Sequence, residues 1–185
     1  MAAAALHLTP GSVAELTAMI RRHAATLLAV GPLAIALLAG APPLGAQSRA
    51  PKAVLTPTAD PAAVRPGRST KLLLKVALPE QIHIQSNKPR DPAFFPTALV
   101  LTPPAGVTVT STTYPAAVDL KQEGQDAPLA VFEKTFTVVA TVALAASVKP
   151  GDLVVPGRFD YQACDDKVCY RPIKTAVTWT LTVAP

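Results

Sequence analysis

The sequence predicts an all-β fold, an antiparallel β-sandwich of immunoglobulin-like topology, and three observations predict it. Short runs rich in Val, Thr, Leu and Ile alternate with period two. Proline punctuates the chain between those runs, from Pro61 and Pro66 to Pro156 and Pro172. No segment beyond the leader sustains a helical period bounded by caps.

In chain order, the first element is a leader. Arg21, Arg22 and His23 precede an uncharged run rich in Ala and Leu that extends to Ser48. This is a basic n-region feeding an apolar h-region, and the small residues Gly45 and Ala46 place a cleavage site after Ala46. Residues 1–46 are thus predicted to be an N-terminal extension plus secretory signal. Met19 is an alternative start, because Met19 to Ala46 alone makes a conventional signal. The competing reading is an uncleaved anchor, since about 20 apolar residues can span a bilayer; the membrane would then be met only through this leader. No cysteine stands at the cleavage point, so a lipoprotein anchor is excluded.

Residues 47–63 are rich in Pro and Ala and are expected to be a loose lead-in. The rest, 64–185, reads as one domain with its own core, since removal of the leader leaves roughly 140 residues. Its predicted strands are Lys71 to Leu78, Ile82 to Ile84, Thr97 to Leu101, Val107 to Thr110, Phe132 to Leu144, Gly157 to Ala163 and Ala176 to Val183. The two cysteines of the chain, Cys164 and Cys169, fall on a predicted hairpin, separated by Asp165, Asp166, Lys167 and Val168. Two thiols so close can form a local staple or a reversible redox couple. Export into an oxidising compartment makes a disulfide the default state of either.

Composition removes several function classes. The net charge of +5 is spread without a basic stripe interleaved with aromatics, so no nucleic-acid partner is expected. No serine stands in a nucleophile elbow and no Gly-rich phosphate loop is present, which argues against hydrolase and nucleotide chemistry. Asp165 and Asp166 at a turn tip sit in water, a poor place for a catalytic carboxyl with a raised pKa. Two cysteines and one histidine beyond the leader, His83, are too few for a closed zinc site without a carboxylate. Neither metal nor cofactor is predicted, although Asp165 and Asp166 keep a copper or zinc binder open as a third class. His83, between Ile82 and Ile84, faces away from both, and the ordinary expectation is an exposed or hydrogen-bonded strand histidine.

The segment Tyr161-Gln162-Ala163-Cys164-Asp165-Asp166-Lys167-Val168-Cys169-Tyr170-Arg171-Pro172, with Ile82 to Pro89 and Phe95-Pro96-Thr97, resembles the N-terminal periplasmic domain of the thiol:disulfide interchange protein DsbD. The likeness runs from about Val64 to Val183. It implies an immunoglobulin-like module whose redox pair is Cys164 and Cys169, taking electrons from a membrane thiol reductase and passing them to periplasmic thioredoxin-like or disulfide-isomerase proteins. Such a module is a protein-disulfide reductase of the periplasm. Full-length family members carry a membrane-embedded carrier and a thioredoxin-like domain after this module, so those partners are expected to be supplied in trans. The likeness also implies that a partner meets Cys169 first, and that a loop within Tyr114 to Ala130 covers the pair until a partner displaces it.

Around the pair, Asp165 and Asp166 should raise the thiol pKa values while Lys167 and Arg171 lower them. The terms offset, so thiols without strong acidity are expected. Tyr161 and Tyr170 flank the pair and can either shield its sulfurs or simply pack across the hairpin. The competing function is an immunoglobulin-like binding or adaptor module in which the same disulfide is only structural.

Overall fold

The computed structural model describes residues 50–124 and 126–185, so the predicted leader, 1–46, lies outside them. The described residues form twelve strands and no helix. In chain order these are β1 (Val54–Asp60), β2 (Ala63–Val64), β3 (Ser69–Ala77), β4 (His83–Gln85), β5 (Ala98–Leu101), β6 (Val107–Thr113), β7 (Val118–Leu120), β8 (Leu129–Glu133), β9 (Thr135–Leu144), β10 (Gly151–Tyr161), β11 (Ala163–Cys164) and β12 (Ile173–Val183). They make three four-stranded sheets, ordered β1-β3-β9-β6, β2-β12-β10-β5 and β11-β4-β8-β7. Every pairing is antiparallel except β2 with β12. The predicted immunoglobulin-like β-sandwich is present.

Alternation of side chains explains how the layers close. In β3, Leu72, Leu74 and Val76 point inward and are fully buried, while Lys71 and Lys75 point to solvent. They meet Val138, Ala140 and Val142 of β9 and Val177, Trp179 and Leu181 of β12 in a single core. Burying each of the larger aliphatic side chains contributes about 1.5–3 kcal/mol. Trp179 joins two sheets by a bond as well as by area, since its indole Nε1 donates to the Leu73 carbonyl at 3.0 Å. Gly157 leaves room for that ring. A Cβ there would stand 2.8 Å from Leu101 Cδ2 and 3.2 Å from Trp179 Cζ3.

Two expectations are corrected. The lead-in 47–63 is not loose throughout, because Val54–Asp60 pairs along its whole length with β3. Pro57 disguises this strand; it lacks an N–H, but β1 lies at the sheet edge, where no partner needs one. Secondly, the run Phe132 to Leu144 is two strands in different sheets. Lys134 has φ of 57°, and that one left-handed residue turns the chain from β8 into β9 while its carbonyl accepts from Leu78 N–H at 2.7 Å. Lysine carries no signature for such a break.

The third sheet is smaller and faces two ways. Ile84, Phe132 and Ala163 point into the sandwich core. By alternation, His83, Gln85, Val131, Glu133 and Cys164 lie on its other face. That outer face carries the cysteines.

Candidate functional site: the cystine hairpin

Cys164 ends β11 and Cys169 stands directly opposite it in an isolated antiparallel bridge. The two are joined by a disulfide, with Cα atoms 4.0 Å apart. The predicted hairpin is therefore present, and its turn is built from the residues between the cysteines. Asp165 N–H donates to the Val168 carbonyl at 3.0 Å, and Tyr170 N–H donates to the Ala163 carbonyl at 2.8 Å. Asp165 Oδ1 accepts from the backbone N–H groups of Lys167 and Val168, both at 2.8 Å, an Asx turn of the kind aspartate forms readily. Its other oxygen, Oδ2, accepts from the Tyr170 hydroxyl at 2.7 Å.

These donors hold the Asp165 carboxyl well below the usual range, at about 2, the Tyr170 hydroxyl contributing most. The same bond pushes the Tyr170 phenol upward. Asp165 is accordingly an anion whose lone pairs are committed to the turn. Asp166 and Lys167 sit exposed at the tip. The flanking expected of Tyr161 and Tyr170 is not symmetric. Tyr170 is half-buried beside the turn, whereas Tyr161 is 1% exposed in the sandwich core, packed on Phe159 with centroids 5.5 Å apart. Its hydroxyl accepts from Ala53 N–H at 2.9 Å.

The two sulfur-bearing residues differ sharply in access. Cys164 is 0% exposed, while Cys169 is open to solvent.

His83 departs from its expectation. It is 5% exposed, and its Nε2 is buried without a hydrogen-bond partner. In register it stands opposite Cys164 on one side and Glu133 on the other. Burial pushes its pKa below 6.5 against the opposing pull of Glu133 and Asp165. The sequence shows which way His83 points, but not that β11 lies alongside it. Gln85, two residues on and on the same face, is fully buried with both amide atoms unpartnered.

A cleft of about 660 Å³ opens beside the hairpin, lined by Ile82, His83, Leu120, Gln122, Glu133 and Asp166 among others. Its outer rim comes from the segment in which a covering loop is expected. That segment is not uniformly loose: Tyr114 stacks on Phe132 at 6.3 Å and its hydroxyl accepts from Leu99 N–H, and β7 pairs with β8. Arg90 anchors the far end through Asp119 and the Pro128 carbonyl. Between these, Gln122 Nε2 donates to the Asp166 carbonyl at 3.4 Å, a long contact that lays the 121–124 loop against the cystine turn. No sequence signal marks Gln122. Among the described residues no group of three or more His, Cys, Asp or Glu side chains is disposed to hold a metal ion.

The family model described as thiol:disulfide interchange protein DsbD, N-terminal, matches residues 52–181. Similar solved structures include the Neisseria meningitidis DsbD N-terminal domain in the reduced form, 14% identical, covering 60% of this chain and 82% of that one with a TM-score of 0.41. The N-terminal periplasmic domain of ScsB from Proteus mirabilis is 16% identical, covering 77% of this chain and 49% of that one, with a TM-score of 0.47. No curated protein matches the chain.

Proposed function

Because this chain belongs to the family of the DsbD N-terminal domain and is a thiol:disulfide interchange module, we propose that it relays reducing equivalents in the periplasm through a reversible Cys164–Cys169 disulfide. The donor is a membrane thiol reductase and the acceptors are periplasmic thioredoxin-like or disulfide-isomerase proteins. To reduce a client, the Cys169 thiolate attacks the client disulfide and forms a mixed disulfide. Cys164 then attacks Cys169 Sγ, closes the internal disulfide and releases the client thiolate. Reloading runs the same steps in reverse, with a donor dithiol attacking Cys169.

The single observation that carries this reading is the split in access, with Cys169 an exposed residue and Cys164 a fully buried one. A second observation weighs against a staple. The hairpin is already closed by the Asp165 and Tyr170 hydrogen bonds. A disulfide around so short a loop adds on the order of 2 kcal/mol from chain entropy. Adjacent core strands make that constraint largely redundant.

The test is the reduction potential of the pair, measured by equilibration in thiol buffers with a mass-shift readout. A value of roughly −180 to −270 mV is expected, the range of dedicated exchange proteins; one below about −300 mV marks a structural disulfide and overturns the proposal.

A further inference from the structure

Resting on that exchange reading, we propose that His83 is the proton acceptor for Cys164 in the second half of the exchange, the step in which Cys164 displaces a client from Cys169. Three pairings place the groups. Glu133 of β8 is opposite His83 of β4, His83 is opposite Cys164 of β11, and Cys164 is opposite Cys169. Residues directly opposite one another in antiparallel strands present their side chains on the same face, with Cβ atoms about 4.5–5.5 Å apart. A carboxylate, an imidazole and two sulfurs therefore form one row across the sheet.

The chemistry of that row follows from burial. Once the mixed disulfide has formed on Cys169, Cys164 must lose its thiol proton before it can attack. A free thiol has a pKa of about 8.5, and apolar surroundings raise it. With Cys164 fully buried, solvent is poorly placed to take the proton. His83 is well placed, being neutral at physiological pH because burial disfavours its charged form. Its Nε2 is the unpartnered atom, and a buried polar atom without a partner calls for an explanation. A thiol proton delivered from the neighbouring strand would supply one.

The step balances. The Cys164 Sγ–H bond breaks and its proton moves to the imidazole. The Cys164 electron pair forms the bond to Cys169 Sγ, the mixed-disulfide bond breaks, and the client sulfur leaves as a thiolate. The imidazolium then returns its proton to that thiolate or to water. While charged, it is flanked by Glu133 from β8 and Asp165 from the turn, both of which favour the cation. Glu80, Lys121, Glu123, Lys134 and Asp166 line the adjoining cleft.

The experiment mixes fully reduced protein with one equivalent of the aromatic disulfide dithiobis(nitrobenzoate). Attack by Cys169 releases the first nitrothiobenzoate, and closure by Cys164 releases the second. In the unsubstituted protein the second phase should accelerate with pH and level off with an inflection below 6.5, the ordinary histidine value. In His83→Gln that phase should slow about 100-fold at neutral pH, with the first phase unchanged. A second phase that inflects only near the thiol range, about 8.5, overturns the inference without any variant, and so does an unchanged second phase in His83→Gln. A first release with no second, the internal disulfide never closing, instead overturns the exchange reading on which this one rests.

Discussion

The sandwich core and the outer face of the β11-β4-β8-β7 sheet bury polar atoms in opposite ways. In the core the polar atoms that go inside find partners: Trp179 Nε1 on the Leu73 carbonyl, the Tyr161 hydroxyl on Ala53 N–H, and Thr70 Oγ1 on the Pro61 carbonyl at 2.7 Å. On the outer face His83 Nε2 and both amide atoms of Gln85 are buried with none. An unpartnered buried polar group costs about 1–3 kcal/mol. One region is arranged for stability, while the other forgoes stability beside the cysteines. Strain of this kind is what a reactive site tolerates and a scaffold does not.

The largest effect should come from the core. Trp179→Ala should lose about 3–5 kcal/mol, the range for large aromatic truncations, measured by urea unfolding of the oxidised protein. A loss under about 1 kcal/mol would break the claim that stability resides there. Gln85→Met should act with the opposite sign, raising stability by about 1 kcal/mol as the orphaned amide is removed at similar volume. A destabilised Gln85→Met would show that this amide is satisfied and that the contrast is false.

Smaller still is the effect of pH. The folded protein binds a proton at His83 less readily than the unfolded chain does, because burial lowers its pKa. Stability therefore falls as pH drops below 6.5, and is independent of this group above it. Unfolding curves between about pH 7.5 and about pH 5 should show this slope in the parent and a flatter one in His83→Gln. Asp165 acts lower on the scale. Its pKa of about 2 lies below its ordinary 3.8, so its stabilisation is complete above 3.8 and is lost as pH falls toward 2.

What the sequence revealed was local. The hairpin is legible because Cys164, Asp165 and Cys169 are near neighbours and aspartate is a good turn residue. The period-two runs are legible where a strand has one wet and one dry face, as Lys71, Leu72, Leu74 and Lys75 of β3 show. What stayed hidden depends on pairing. β1 was masked by an edge proline, and Lys134 divides the predicted strand Phe132 to Leu144 without any turn signature. His83 and Cys164 are far apart in the chain, and only the register of β4 against β11 makes them neighbours. Tyr161 reads as a companion of the cysteines until alternation turns it toward the core.

The left-handed turn at Lys134 has a mechanical consequence. It passes the chain from the site's sheet to β9, an interior strand of the β1-β3-β9-β6 sheet, with a single residue between them, leaving no slack. A docking protein that pushed on Glu133 would be pushing on β9, whose Val138, Ala140 and Val142 are buried in the core. The floor of the cleft is thus an anvil. The opposite rim is held less firmly, where the 121–124 loop rests on the cystine turn through the long Gln122 contact.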